Sequence, residues 1–328
     1  MAAPDRHAWE FSVVIPFFQR KRGILRRAVE SALGQQGISM PRVIVVDDGS
    51  PVGARDELQD LLARYPRHLV VLRQENGGAG AARNAGMVQA RADSEFIAFL
   101  DSDDSWLPLH LKTAKRALDL GSDFYFCDAL HRDGRRTVLQ TRPIPSEECR
   151  PLGGDDSLFE FTGDLLGRVL QGRPMQIPAF VYRSRCCPLM FRTDLRMAQD
   201  HFLFMQMATL GRPTAFSTAV NVRLGEGVNN YNAAGWGTPH VLQRIFYDQL
   251  CIKDAAREFA GARRYRPLVR RSIRRHRRDF VNNAIAVCNT PRRAEAAPIA
   301  LKYLALDPLA IAWVPVAVLE RIGTRLRH

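Results

Sequence analysis

The sequence "FIAFLDSDDSW" (residues 96–106) places three aspartates directly behind five apolar residues. The apolar residues are strand-prone, and their run has the length of a fully buried strand. In open α/β sheets the ligand site lies at the carboxyl ends of the strands, where Asp101, Asp103 and Asp104 would stand. Neighbouring carboxylates repel one another unless a cation offsets their charge, and oxygen ligands suit Mg²⁺ or Mn²⁺. This stretch alone predicts either a metal site or a solvated acidic turn.

Strand and helix patterns alternate on the N-terminal side of this stretch. Short apolar runs alternate with segments whose apolar residues recur at helical spacing. Strands are predicted at 11–18, 42–50, 69–74 and 96–104, and helices at 23–35, 54–65 and 80–91. This order predicts an α/β fold with a Rossmann-like, mostly parallel sheet flanked by helices on both faces.

The pattern is weaker on the C-terminal side. The sequence predicts a helix after residue 108, a strand at 123–130, irregular structure at 140–176, a strand at 179–186 and a helix at 196–211. A loop rich in Gly and Asn follows at 221–237, and only helices are predicted after it. We therefore expect a helical C-terminal extension behind the sheet.

The loops after the predicted strands carry residues that suit a nucleotide. "DDGS" (47–50) offers carboxylates to a sugar or a base. "ENGGAGAARNAG" (75–86) opens a helix with glycines and Arg83, which provide backbone N–H groups and a positive charge for phosphate. No third glycine of a dinucleotide fingerprint and no GK[ST] follows, which argues against Rossmann dinucleotide and P-loop sites. With the "DSDD" acids (101–104), these loops predict a nucleoside diphosphate whose charge is neutralised by metal.

Composition narrows the class of protein further. Of 328 residues, 46% are hydrophobic and 25% are charged, which is typical of globular proteins rather than disordered or membrane-embedded ones. No signal-peptide pattern and no apolar run of about 18 residues occurs. The six cysteines show no metal-ligand spacing. We therefore expect the protein to reside in the reducing cytoplasm.

Four motifs together resemble family 2 glycosyltransferases of the GT-A fold. They are "VVIPFFQRKRGILRRAVESALGQQ", "VIVVDDGS", "NGGAGAARNAG" and "FLDSDDSWLP". The resemblance is strong over residues 11–130 and extends to about residue 215. It implies an inverting enzyme that moves a sugar from a nucleotide-diphosphate donor, preferably a UDP-sugar, to a hydroxyl of a saccharide or lipid-linked acceptor. It also implies a divalent metal, Mn²⁺ or Mg²⁺, on the diphosphate.

The resemblance implies roles for individual residues at the donor site. Asp48 would hydrogen-bond the nucleotide base, and Arg83 would make a further nucleotide contact. Asp101 and Asp103 match the two acids of the DxD motif, contacting ribose and metal, and Asp103 is the expected direct metal ligand. Pro16 would shape the loop around the base, with packing alone as the alternative.

Two further acids have competing interpretations. Asp200, in "AQDHFLFM" (198–205), matches the position where the family keeps its general base, although Gln199 replaces the usual Glu. Its alternative role is a helix cap. Asp104 would either extend the DxD acids or cap the helix that follows.

Positive charge is concentrated in the last quarter of the chain. The formal net charge is +13, and from Lys253 onward 17 Lys and Arg face 6 Asp and Glu, a balance of +11. The segment "RRYRPLVRRSIRRHRRDF" (263–280) holds nine arginines interleaved with apolar residues. Three interpretations stay open: a solvated helical region packed on the catalytic domain, contact of residues 263–323 with an anionic membrane, and nucleic-acid binding. The last is disfavoured because no recognition motif or stacking platform accompanies the arginines.

These observations divide the chain into two predicted parts. Residues 1–240 would form a GT-A nucleotide-sugar-binding catalytic domain, and residues 241–328 a basic helical C-terminal region. The enzyme would then lie in the cytoplasm, peripheral to the inner face of the cell membrane. The alternative function is a basic membrane- or nucleic-acid-binding protein whose GT-A-like domain is not catalytic.

Overall fold

A computed structural model describes residues 8–19, 22–172, 174–186, 188–225, 235–259, 261 and 263–315. The centre of the 221–237 loop, Cys187 and the end of the basic 263–323 segment lie outside these residues. The strands are β1 (Trp9–Phe17), β2 (Arg42–Asp47), β3 (Leu69–Arg73), β4 (Ser94–Phe99), β5 (Ser105–Trp106), β6 (Phe124–Leu130), β7 (Cys149–Leu152), β8 (Asp155–Phe161), β9 (Phe180–Arg183) and β10 (Thr214–Arg223). The helices are α1 (Leu25–Leu33), α2 (Ala54–Glu57), α3 (Gln59–Arg64), α4 (Ala79–Arg91), α5 (His110–Asp119), α6 (Val138–Thr141), α7 (Leu165–Gln171), α8 (Gln199–Thr209), α9 (Pro239–Glu258), α10 (Arg266–Cys288) and α11 (Arg293–Leu306).

One sheet organises the described residues, with strand order β3-β2-β1-β4-β9-β6-β10-β8-β7 and β5 paired to β10. Strands β1 to β4 are mutually parallel, as the alternating pattern predicts. Beyond β4 the sheet is mixed, because β9 lies antiparallel between β4 and β6. β4 lies on the opposite side of β1 from β2, so the strand order reverses at β1. That reversal is the place where open α/β sheets bind their ligands.

The strand β1 shows how the sequence builds the two layers around the sheet. Successive strand residues point to opposite faces, and from Phe11 onward β1 is buried on both. Phe11, Val13 and Ile15 pack with α1 and α5, whereas Val14 packs with α4 and α8. The central strand is therefore buried on both faces, which fixes the position of its carboxyl end.

The prediction of irregular structure over residues 140–176 is wrong in part. β7 and β8 form a hairpin there, and its turn is made by Gly153 and Gly154 with φ of +65° and +68°. A Gly-Gly pair is a recognised signal for a tight hairpin turn. α7 follows, and Asp164 caps it by accepting a hydrogen bond from the Gly167 N–H at 3.0 Å.

The C-terminal helices α9, α10 and α11 pack on one another, and α9 and α10 also pack on α8 and α7. Cys251 and Ile252 of α9 and Val269 of α10 belong to the same apolar cluster as Phe99 of β4. A second cluster, which includes Phe280 and Tyr303, holds the three helices together. No helix among the described residues is long and apolar enough to cross a membrane. The division of the chain at residue 240 stays a prediction.

Candidate active site

The site begins where β1 and β4 separate at their carboxyl ends. Pairing of β1 with β4 ends at Val14 and Phe99, whereas pairing of β1 with β2 continues to Phe17. The Val14 carbonyl accepts a hydrogen bond from the Leu100 N–H at 3.1 Å. Because alternate residues of a strand direct their backbone groups to the same side, Pro16 turns its missing N–H towards β4. Pro16 therefore lies where the two strands part, at the reversal of strand order.

Asp48 follows β2 and holds the glycine-rich loop. It is only 2% exposed. Its Oδ1 accepts hydrogen bonds from the Gly77 N–H and from Nε2 of Gln74, and its Oδ2 accepts one from the Gly78 N–H, each at 2.8 Å. A carboxylate offers about four lone-pair sites, so three are used within the chain. The predicted hydrogen bond from a base to Asp48 stays a prediction.

α4 starts at this loop and packs closely on β1. Gly78, the residue before the helix, has φ +87°, a conformation that favours glycine. At Gly86 a Cβ would lie 2.4 Å from Cγ1 of Val14. The small residues of "GAGAARNAG" therefore bring α4 close to the sheet, with its N-terminus at the edge that carries the acids.

Arg83 and Asp101 form an ion pair at that edge. Arg83 lies in the second turn of α4, is 6% exposed, and donates from Nη2 to Oδ1 of Asp101 at 2.6 Å. Its guanidinium lies over the ring of Phe191, 5.3 Å from the centroid. The Asp101 side chain is 32% exposed to solvent. Arg83 thus positions Asp101 in this structure, and its predicted contact with the nucleotide stays a prediction.

Asp104 is the buried acid of the "DSDD" turn. Its Oδ1 accepts a hydrogen bond from the Gly225 N–H at 2.7 Å. Burial raises the pKa of Asp104 well above its usual range, and the like charges of Asp101 and Asp103 raise that pKa further. The helix-cap interpretation of Asp104 is wrong, because α5 begins only at His110. Asp104 instead connects the turn to the segment after β10.

The same turn is fixed through the backbone of Asp103. Nη2 of Arg27, on α1, donates to the Asp103 carbonyl at 2.7 Å. A Cβ at Gly225 would lie 1.6 Å from that carbonyl oxygen, so only glycine fits there. The Asp103 side chain, half-buried, is thereby presented by a turn that is clamped between α1 and the residues after β10.

The acids fit a divalent cation that is shared with a diphosphate. Among the described residues, no three His, Cys, Asp or Glu side chains gather as a metal-binding group. Mg²⁺, however, usually binds one or two carboxylates together with substrate phosphates rather than a cage made only of protein. Asp101 and Asp103 supply two half-buried carboxylates for such a shared cation.

Asp200 lies in the first turn of α8, behind a strained residue. Ala198 precedes the helix with φ +60°, the one non-glycine residue with positive φ over the described ranges. Such a conformation costs roughly 1–3 kcal/mol and persists only where the surroundings impose it. Because Ala198 occupies the cap position, Asp200 is not the N-cap, although a carboxylate in the first turn suits the helix dipole.

Close packing brings the start of α8 against the first turn of α4. A Cβ at Gly80 would lie 3.5 Å from Cγ of Gln199, the neighbour of Asp200 in the chain. Asn84 also exchanges two hydrogen bonds with the backbone of Phe191, each 2.8 Å long. The two helix N-termini therefore meet at the edge of the sheet.

α4 is the element that joins the predicted site residues. Asp48 binds the loop that precedes α4, and Asp101 binds Arg83 in the second turn of α4. Asp200 directly follows Gln199, which packs on the first turn of α4. The structure thus brings Asp48, Arg83, Asp101 and the start of α8 together around one helix.

Sequence reasoning missed three residues that support this arrangement. Arg27 and Gly225 fix the acidic turn, and no local pattern marks either of them. Asp47 accepts the Ser50 and Ala54 N–H groups at 2.8 and 3.0 Å and so builds the turn that contains Asp48. Asp side chains commonly bind backbone N–H groups in turns, and this signal could have identified the role of Asp47.

Comparison with known proteins agrees with this geometry. Residues 12–168, which include the turns of Asp48 and Asp101, match the family model of glycosyl transferase family 2. Over these residues the chain is similar to family 2 glycosyltransferases. The expectations of a glycosyltransferase and of a GT-A-type α/β fold are confirmed. This glycosyltransferase is 29% identical over 272 residues to the succinoglycan biosynthesis protein ExoW of Rhizobium meliloti, covering 82% of this chain and 84% of that one.

Solved structures share the fold of this glycosyltransferase. S. aureus TarS 1-349 in complex with UDP aligns with a TM-score of 0.57 and 18% identity, over 96% of this chain and 92% of that one. The mannosyltransferase PcManGT from Pyrobaculum calidifontis, in complex with GDP-Man and Mn²⁺, aligns with a TM-score of 0.59 and 15% identity, over 96% and 86%. At these identities the likeness concerns the fold alone.

Proposed function

We propose that this glycosyltransferase moves one sugar from a nucleoside-diphosphate donor, preferably a UDP-sugar, to a hydroxyl of a saccharide or lipid-linked acceptor, with inversion. The observation that carries the proposal is the gathering of Asp48, Arg83, Asp101 and the Asp200 turn around the start of α4. The TarS structure holds UDP, and the name of ExoW refers to synthesis of a polysaccharide.

The donor would lie over the edge of the sheet between β1 and β4. Asp48 fixes the glycine-rich loop and would receive the base, and Pro16 opens the strands beside it. Asp101 and Asp103 would hold a divalent cation, Mn²⁺ or Mg²⁺, together with the donor diphosphate. The cation supplies positive charge that stabilises the departing diphosphate. Arg83 holds Asp101 for this task, so little rearrangement is needed when the donor binds.

Asp200 would act as the general base. It takes the proton of the acceptor hydroxyl while that oxygen forms a bond to the anomeric carbon. The bond from this carbon to the diphosphate oxygen breaks, and the nucleoside diphosphate leaves with the electron pair. A single displacement of this kind inverts the configuration of the anomeric carbon.

The variant Asp200→Asn tests the proposal. It keeps the shape of the side chain but loses the proton acceptor, so transfer should fall about 10²–10⁴-fold while donor affinity stays near that of the parent. A panel of nucleotide sugars with Mn²⁺ first identifies the donor, and NMR of the product reads its anomeric configuration. Asp119→Asn, which alters an exposed acid on α5, serves as the matched control. Transfer by Asp200→Asn at the parent rate, or a product with retained configuration, would contradict this mechanism.

A further inference from the structure

The basic helix α10 uses its apolar residues inside the protein. Val269, His276 and Phe280 are buried against neighbouring helices, and Leu268 and Ile273 pack at the edge of the core. The apolar side of the "RRYRPLVRRSIRRHRRDF" segment is therefore not available to enter a membrane as the face of an amphipathic helix.

Four arginines form a separate, exposed face of α10. Arg271, Arg274, Arg275 and Arg278 follow the spacing i, i+3, i+4 and i+7, which places them on one side of a helix. Over the described residues, Arg271 and Arg275 form no ion pair, Arg274 donates to a backbone carbonyl, and Arg278 lies 3.5 Å from its neighbour Asp279. We call these four residues the arginine face. Over the described residues the four side chains are exposed, and only Arg278 has an ion-pair partner.

The arginine face borders a groove of about 500 Å³. Leu170 and Gln171 at the end of α7 also line it, as does Trp313 of the 3₁₀ helix Pro308–Trp313. The walls are held together at the start of α10, where the Tyr265 hydroxyl donates to Oδ1 of Asp164 at 2.9 Å. The groove is thus a fixed feature rather than a gap between independent helices.

Exposed apolar side chains lie on and directly after the 3₁₀ helix that carries Trp313. Leu309, Ile311 and Val314 are 63%, 59% and 42% exposed. Val314 is the residue directly after this helix, three positions beyond Ile311. An exposed apolar edge that adjoins Trp313, with exposed arginines along the same groove, is a combination found on proteins that bind the surface of an anionic bilayer.

We propose that the arginine face and this apolar edge form a docking surface for an anionic phospholipid membrane. Headgroup phosphates would enter the groove, where guanidinium groups can bind phosphate oxygens in pairs. Ile311 and Val314 would lie beside these headgroups, at the boundary between headgroups and acyl chains. A nucleic acid would gain from the arginines but not from the aliphatic edge, and Trp313 is the one aromatic residue among those that line the groove.

The double variant Arg271→Gln/Arg275→Gln tests the surface. In co-sedimentation with phosphatidylcholine vesicles containing phosphatidylglycerol, its affinity should fall roughly 30-fold, because each arginine at an anionic surface contributes about fivefold. The control Arg64→Gln/Arg67→Gln removes the same charge from exposed positions near β3 and should bind like the parent. Ile311→Ser should weaken binding as well, by a factor that persists at high salt, where exposed charges are screened.

Several outcomes would overturn the proposal. The first is that the Arg271→Gln/Arg275→Gln variant binds vesicles as tightly as the parent does. The second is that the Arg64→Gln/Arg67→Gln control loses as much affinity as that variant. The third is that the parent binds vesicles of phosphatidylcholine alone as tightly as vesicles that contain phosphatidylglycerol. Tighter groove-dependent binding of a single-stranded oligonucleotide than of vesicles would also overturn it. Competition by free inorganic phosphate at low concentration would show that the groove takes a soluble anion instead of a headgroup. Donor hydrolysis by the same variants should stay at the parent level, so failure of this surface is distinguishable from failure of the proposed catalysis.

Discussion

The acidic edge of the sheet and the basic helix α10 differ in how their charged side chains are held. At the sheet edge Asp48 and Asp104 accept backbone N–H groups and Asp101 accepts a buried guanidinium. On α10, by contrast, Arg271 and Arg275 project from the protein with no ion-pair partner among the described residues. The acids of the sheet edge are therefore held in position before a ligand binds. The exposed arginines of α10 are instead available to any anionic partner that approaches the surface.

Asp307, in the C-terminal region, is an exception to this contrast and shows what causes it. Asp307 is buried and accepts two hydrogen bonds from Arg277, at 2.8 and 2.9 Å, and one from Gln249 at 2.5 Å. Lys253 lies 3.9 Å away. Burial rather than the region of the chain therefore decides whether a charge is fixed, because a desolvated charge is stable only with partners.

The largest effect should follow from removing this buried acid. Asp307→Asn leaves Arg277 half-buried without its counter-charge, and loss of one partner of a buried pair costs about 3–5 kcal/mol. Denaturant unfolding should show this loss, whereas Glu295→Gln, which alters an exposed pair with Arg292, should change stability by less than about 1 kcal/mol. Equal stability of the two variants would show that Asp307 is not fixed by burial.

The next effect should appear at the acidic edge, in binding rather than in stability. Asp103→Asn removes one of the two carboxylates expected to hold the cation. Because changes behind the direct ligands already cost about 10–100-fold in metal affinity, the Mn²⁺-dependent part of UDP affinity should fall by about 100-fold. Calorimetric titration with and without Mn²⁺ measures it, with Asp119→Asn as the control. An unchanged dependence on Mn²⁺ would remove Asp103 from the metal site.

The same comparison shows how far the sequence could predict this molecule. The strands β1 to β4 were predictable because each is a short apolar run followed by a turn. The edge of the sheet at which Asp48 and Asp101 follow their strands was predictable for the same reason. The hydrogen-bond partners of the acids could not be predicted, because they lie far away in the sequence. Gly78 is 30 residues from Asp48, and Gly225 is 121 residues from Asp104. Local periodicity carries no information about such pairs.

The basic helices show a second limit of sequence reasoning. Nine arginines with interleaved apolar residues predict an amphipathic helix, and α10 is one. The pattern does not reveal whether its apolar side faces protein or lipid, and Phe280 stacks on Tyr303 at 3.8 Å between centroids. The alternatives for the segment could be separated only once its packing partners were known.

A titration should distinguish the buried part of α10 from its exposed arginines. His276 is buried and bonds through Nδ1 to Oε1 of Gln249 at 3.2 Å. Burial first, and then the charge of Arg275, lowers the pKa of His276 from 6.5 to about 3. The unfolded chain therefore takes up a proton below pH 6.5 that the folded chain refuses until about pH 3, so stability is lost as pH falls through this window.

This loss should amount to about 2 kcal/mol between pH 8 and pH 5. In His276→Gln the contribution is absent, so its free energy of unfolding should fall less steeply with acid than that of the parent. His110, whose pKa is lowered to about 3 by burial, gives both proteins the same background slope. Parallel curves for parent and variant would mean that His276 is protonated in the folded protein.

The smallest effect should come from the contact that clamps the acidic turn. At Gly225 a Cβ would lie 1.6 Å from the Asp103 carbonyl oxygen, so Gly225→Ala must push the two segments apart. The Gly225 N–H then moves away from Oδ1 of Asp104, and the turn that presents Asp103 is no longer held in place. Overpacking of this kind typically costs about 1–3 kcal/mol of folding stability. Separately, displacement of the Asp103 carboxylate should lower kcat/KM by about tenfold.

A glycine beyond the same loop provides the control for this last variant. Among the described residues no atom lies within 4 Å of the Cβ position at Gly235, so Gly235→Ala adds the same methyl group without a collision with them. Gly225→Ala should lose metal-dependent UDP affinity while Gly235→Ala keeps it, and both should retain the parent circular dichroism spectrum. Because the Asp103 carboxylate is still present in Gly225→Ala, a loss there would show that its placement matters in addition to its charge. Equal activity of the two glycine variants would mean that the clamp between Gly225 and the acidic turn has no part in catalysis.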